Sequence, residues 1–118
     1  TLALATSPFF PKEAMQSRLS WLGADSSEFA HITTYENSHF SKPNPCYYQE
    51  IFEALHKKPG QCLMVGNHVR EDIVPLQLGA SVFLLTDYLE NPDNTDFTVF
   101  PHGDWKDLFT FLEADRRA

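Results

Sequence analysis

The sequence predicts an α/β fold, a three-layer α/β/α Rossmann-like arrangement around a parallel sheet, on three observations. Short apolar runs alternate with longer amphipathic ones, which is the order a parallel sheet with crossover helices requires. The short runs are β-branched or aromatic and too brief for helices. Proline, glycine and asparagine stand at the junctions, where helices start and stop.

Residues 2–6 (LALAT) form the first run and read as a strand buried on both faces. Ser7 and Pro8 break it, and Pro11 suits the first turn of a helix reaching about Leu22. In that helix Ala14, Arg18, Leu19 and Leu22 have helical spacing, and Gly23 is a C-terminal stop. Residues 31–35 (HITTY) predict a second strand. A loop over 36–45 leads into a helix that Asn44 caps and Pro45 opens, with Tyr48, Ile51, Phe52 and Leu55 on one face. Pro59 and Gly60 end it.

Residues 62–65 (CLMV) are the strongest strand, followed by the turn Gly66, Asn67, His68 and a short helix over 70–78 that contains Pro75. Gly79 closes that helix, and 81–86 (SVFLLT) is a further strand. Residues 97–100 (FTVF) predict a last edge strand. Asp104 is placed to cap a closing helix with Leu108, Phe109 and Leu112 as its buried stripe. No internal repeat interrupts this order, and no linker is long enough to separate domains.

Composition narrows the functional classes. With 118 residues, 42% hydrophobic and 21% charged, the chain is an ordinary globular sequence and not a disordered one. A net charge of −7 argues against nucleic acid as a partner, because phosphates need cationic neutralisation. No apolar run is long enough for a membrane span. Cys46 and Cys62 have neither metal-ligand nor redox spacing, so reduced thiols and a cytoplasmic location are the expectation. None of the five histidines pairs with another at ligand spacing on a helix, which favours surface positions for them.

Ligands of an open parallel sheet bind beyond the carboxyl ends of its strands. Those positions hold Thr6 and Ser7, then Glu36 to Lys42, then Gly66 to Asp72, and lastly Asp87. Hydroxyls, one lysine and carboxylates together suit an anionic substrate held with a divalent cation. Phe9, Phe10 and Phe40 fall near the same edge, where either pocket lining or packing is open to them.

Three of these segments resemble the haloacid-dehalogenase-like (HAD) hydrolase superfamily. LALATS resembles its second motif, an apolar strand ending in Thr or Ser. SKPNP before an amphipathic helix resembles the third, a lysine in a Lys-Pro-x-Pro setting. CLMVGNHVREDIVPLQLGA resembles the fourth, an apolar strand, an acidic turn and a helix ending in Gly-Ala. Order and intervals also match, from Leu2 to about Thr86.

The resemblance implies roles. Thr6, with Ser7 beside it, would bind phosphoryl oxygens; Lys42 would neutralise substrate and nucleophile; Asn67 and Asp72 would hold Mg²⁺. It implies phosphatase activity on a small phosphorylated metabolite through an aspartyl-phosphate. The family's nucleophile lies in an Asp-x-Asp motif that this chain lacks. The resemblance therefore places residues 1–118 as the C-terminal portion of the core. The nucleophile strand and a cap are expected in a preceding N-terminal segment, and the 118 residues alone are expected to be unstable and inactive. Asn67 stands where the family has an aspartate, which brings in a metal-independent 2-haloacid dehalogenase, or a non-catalytic HAD-like binding module, as alternatives.

Overall fold

In the computed structural model, residues 1–114 are described. The fold is α/β, and every strand pairing is parallel. The chain divides after His56 into two compact units.

The first unit runs β1 (Ala3–Leu4), α1 (Lys12–Trp21), a 3₁₀ turn (Ser26–Glu28), β2 (His31–Ile32) and α2 (Pro45–Ala54). β1 and β2 pair with Ala3 opposite His31 and Leu4 opposite Ile32. Backbone bonds from Ala30 to Leu2 and from Thr33 to Leu4 extend the pairing at both ends. β2 is shorter than the expected 31–35 strand, because the buried Thr33 turns its hydroxyl to the backbone of Thr6. Tyr35 N–H then donates to Phe10 instead.

Pro11 precedes α1 as its N-cap, and the Glu36 carboxylate accepts the Lys12 N–H at 2.9 Å. At the other end Gly23 has φ +76°, Gly23 N–H donates to Ser20 and Ala24 N–H to Leu19. That pair of bonds is the Schellman closure that the sequence anticipates at this glycine. The buried face of α1 is Met15 and Leu19, whereas Leu22 is 82% exposed, which corrects the expected stripe. Asn44 caps α2 by accepting the Cys46 N–H at 2.9 Å, and Pro45 occupies its first turn. Tyr47, Tyr48, Ile51 and Phe52 form its buried face, with the two tyrosine rings edge to face at 5.0 Å. Each such side chain contributes about 1.5–3 kcal/mol by leaving water. Phe9 and Phe10 remain largely exposed, and Arg18 lies over the Phe10 ring at 4.9 Å.

The second unit contains β3 (Leu63–Gly66), β4 (Ser81–Leu85) and β5 (His102–Gly103), in that order across the sheet, and α3 (Trp105–Ala114). Val82, Phe83 and Leu84 of β4 are buried, as expected of a strand with neighbours on both sides. The helix expected over 70–78 is instead a series of turns and a 3₁₀ helix, Val74–Leu78. Pro75 has no N–H to give to an α-helical ladder, and Asp72 spends its side chain on the preceding turn. Gly79 (φ +96°) closes that segment.

The expected edge strand 97–100 is also overturned. Asp96 accepts the Thr98 N–H at 3.1 Å, so Phe97–Val99 closes into a 3₁₀ turn. Local side-chain bonding here beats β-propensity, and His102–Gly103 becomes the edge strand. Asp104 and Asp107 cap α3 reciprocally, each carboxylate accepting the other residue's N–H at 2.9–3.0 Å. Leu108 is the buried anchor of α3, and Phe111 meets Phe83 at 5.2 Å. Phe109 and Leu112, expected in the buried stripe, are 60% and 41% exposed.

Both cysteines are free. Cys46 is exposed and Cys62 is half-buried, with burial pushing its thiol above the usual range. Among the described residues no helix is long and apolar enough to cross a membrane.

Candidate functional site

Each unit brings part of the expected set of residues to a strand end. In the first, the backbone of Thr6 is held from two directions. Its N–H donates to Thr33 Oγ1 at 3.0 Å. Its carbonyl accepts Tyr47 Oη–H at 2.7 Å and the Thr33 hydroxyl as well. Tyr47 and Thr33 are themselves 3.1 Å apart and almost wholly buried. The side-chain hydroxyl of Thr6, by contrast, has only a long 3.3 Å bond to the neighbouring Ser7 carbonyl. The arrangement immobilises the backbone and leaves a hydroxyl that can turn to an oxygen-rich ligand at little cost.

Lys42 is half-buried in the turn that enters α2, joined to Pro43 by a cis peptide bond. Asn44 N–H donates to Ser41 at 3.0 Å and closes this turn. The helix that begins three residues after Lys42 supplies Tyr47, so one hydrogen bond ties its first turn to the residue ahead of Ser7. Further along the same loop His39 contacts Glu50 at 2.6 Å. Partial burial would raise the Glu50 carboxyl, but the His39 ring and amide hold it below its usual range.

The second unit builds its strand end locally. Asp72 is 3% exposed, and its Oδ2 accepts the N–H groups of both Asn67 and His68 at 3.0 Å. A Cβ on Gly66 would meet this carboxylate, lying 2.7 Å from Asp72 Cβ, so only glycine fits there. His68 Nδ1 accepts the Arg70 and Glu71 N–H groups at 3.2 Å, so this histidine braces the turn. Asn67 Nδ2 donates to the Tyr88 carbonyl at 3.0 Å, which leaves its amide oxygen as the atom available to a ligand. Glu90 N–H to Asn67 and Val69 N–H to Glu90 stitch the two loops in parallel, and Arg70 forks onto Asp93 at 2.7 and 2.9 Å. That bond with Arg70 holds the Asp93 carboxyl below its ordinary range.

Asn67 also lines a cavity of about 300 Å³ with Val65, Gly66, Leu85, Asp87, Tyr88 and Trp105. It lies at the carboxyl ends of β3 and β4, where a parallel sheet binds ligands. A larger cavity, about 630 Å³, lies in the first unit along α1 and β2 and contains none of Thr6, Ser7 and Lys42.

For Mg²⁺ the donors offered by the second unit are oxygens of the right hardness, the Asn67 amide and the Asp72 carboxylate. They supply a single negative charge. Among the described residues no three His, Cys, Asp or Glu side chains gather to hold a metal.

Sequence reasoning missed four participants: Thr33, Tyr47, Tyr88 and Trp105. Thr33 and Tyr47 read as strand and helix residues, and only long-range pairing turns them to Thr6. Tyr88 and Trp105 carry no periodic or motif signal. Asp87 stood among the strand-end positions, and the cavity contains it.

No known family model and no curated protein matches the sequence. Solved structures share its fold. A predicted phosphoglycolate phosphatase from Haemophilus somnus 129PT superposes with a TM-score of 0.74 at 22% identity, over 94% of this chain. An uncharacterized protein from Listeria monocytogenes serotype 4b gives a TM-score of 0.73 at 17% identity, over 96% of this chain and 71% of its own. The chain spans 49% of the length of the phosphatase. At these identities the likeness is one of fold: the parallel α/β class expected from the sequence.

Proposed function

We propose that this chain is the C-terminal part of the core of a HAD-like phosphatase that hydrolyses a small phosphomonoester. One observation carries the reading. A strand end bearing Thr6, a helix-entry turn bearing Lys42 and a carboxylate-locked Gly66–Asp72 turn occur in a fold shared with a predicted phosphoglycolate phosphatase.

In this reading Thr6 Oγ1 and Ser7 bind phosphoryl oxygens, and the rigid backbone of Thr6 keeps them in place. Lys42 offsets the negative charge that grows on the phosphoryl group as it transfers, and its charge costs no reorganisation if the turn already holds it. The attacking aspartate comes from a segment outside this chain and forms the aspartyl-phosphate that water then cleaves. Asn67 Oδ1 and Asp72 would hold Mg²⁺, which when bound supplies charge neutralisation for the phosphate. A cytoplasmic location accompanies this reading, since phosphorylated metabolites are its substrates.

Asn67 favours a second reading. An uncharged donor at that position suits displacement of halide from carbon without a cation, as in the metal-independent 2-haloacid dehalogenases.

The test uses the full-length protein that carries this chain. Phosphate release is measured from small phosphomonoesters, phosphoglycolate first, with Mg²⁺ and with excess chelator. Mg²⁺-dependent release is expected, and Lys42→Ala should lower kcat by about 10²–10³-fold with thermal stability unchanged. Chloride release from a 2-haloacid in chelator would replace the phosphatase with the dehalogenase. Absence of both would leave a non-catalytic module.

A further inference from the structure

We propose that the cavity at the carboxyl ends of β3 and β4 binds an organic ammonium group, the amine-bearing end of the substrate; as a substrate subsite it rests on the phosphatase reading. Its lining side chains suit a cation better than a phosphate. None of its seven lining residues is cationic, and Asp87 contributes a negative charge. Asp87 is exposed and, among the described residues, forms no ion pair and no side-chain hydrogen bond. Its carboxylate is therefore uncommitted.

Beside it stand two aromatic rings that the fold leaves in water. Tyr88 is 87% exposed and Trp105 is 55% exposed. Aromatic side chains forgo about 2 kcal/mol each when left unburied, and rings grouped with a carboxylate are the chemistry that recognises ammonium ions. The backbone that carries each ring is anchored. Asn67 Nδ2 holds the Tyr88 carbonyl at 3.0 Å, and Trp105 is the first residue of α3.

The N-terminal end of α3 carries partial positive charge, which would oppose a cation. Asp104 and Asp107 answer it, since each carboxylate accepts an N–H at that helix end. The hydrogen bond from the Asp107 amide keeps Asp104 ionised to below the usual carboxylate range. A neutral polyol would use the rings but gain nothing from Asp87, so charge decides for the ammonium.

The test has a readout independent of turnover. In the full-length protein with Trp21→Phe removing the other tryptophan of this chain, Trp105 emission is titrated with choline and with its neutral isostere 3,3-dimethyl-1-butanol. Choline should quench saturably and the alcohol should not. Asp87→Asn should raise the half-saturating choline concentration by about three- to fivefold. An equal response to the alcohol, an unchanged midpoint in Asp87→Asn, or no saturable response would overturn the proposal. In turnover, Asp87→Asn should raise KM for phosphocholine or phosphoethanolamine about three- to fivefold more than it raises KM for propyl phosphate. Choline binding without any phosphatase activity would sink the phosphatase reading and leave the ammonium site standing.

Discussion

The strand end at Thr6 and the strand end at Gly66 are both immobilised, by opposite means. At Thr6 the partners are 27 and 41 residues away, hydroxyls from Thr33 and Tyr47 that reach the backbone only after β2 and α2 have docked. At Gly66 the partner lies within the same turn, with Asp72 accepting the Asn67 and His68 amides five and four residues back. A charged acceptor makes the stronger bonds, and a short loop costs little entropy to close. The second strand end is therefore held mainly from within its own turn, with Tyr88 and Glu90 joining from the next loop, whereas the first depends on its whole unit being folded.

The largest effect is expected where the local device has no slack. Gly66→Ala would drive a methyl group into the Asp72 carboxylate and should cost about 3 kcal/mol or more, from overpacking and two weakened charge-assisted bonds. Denaturant unfolding of the full-length protein measures it. Adding Asp72→Ala should cost much less in the Gly66→Ala background than in the wild type, and strict additivity would show that the turn is not a single device.

The long-range device should fail more gently. Tyr47→Phe removes one neutral donor to the Thr6 carbonyl, which keeps Thr33 as a partner, so about 1 kcal/mol is expected. A double-mutant cycle with Thr33→Val should show coupling, and independent effects would separate the two hydroxyls.

The smallest effect is a pH dependence in the first unit. Burial lowers the His31 imidazole below its ordinary value, and Glu50 pulls it the other way. The fold thus favours neutral His31. Its contribution is complete above about pH 6.5, the unfolded value, and is lost as pH falls from there toward the folded value. The thermal midpoint of wild type should fall more steeply between pH 7 and pH 5 than that of His31→Gln, and parallel profiles would remove His31 from the account.

Much of this architecture was legible in the residues. Asn44 and Pro45 mark the start of α2 because a side-chain acceptor and a fixed φ act within one turn. Gly23 and Gly79 mark helix ends because left-handed φ is a local property. Where the reading went astray, a contact from elsewhere or a competing local bond took over. FTVF has strand composition, but Asp96 closes it into a turn. Residues 70–78 have a helical outline, but Pro75 and the engaged Asp72 leave only turns and a 3₁₀ segment. Thr33 has strand character, yet its hydroxyl serves Thr6.

What the sequence by itself determined is therefore the α/β class, the order of its elements, and the positions of Thr6, Ser7, Lys42, Asn67 and Asp72 at strand ends and turns. These follow from short-range rules of apolar period, capping and turn chemistry. Only the tertiary structure decided that Tyr47 and Thr33 clamp Thr6, that Gly66 must lack a side chain for Asp72, and that Asp87, Tyr88 and Trp105 line one cavity. Those depend on which distant residues the parallel pairing of β1 with β2, and of β3 with β4 and β5, brings within reach.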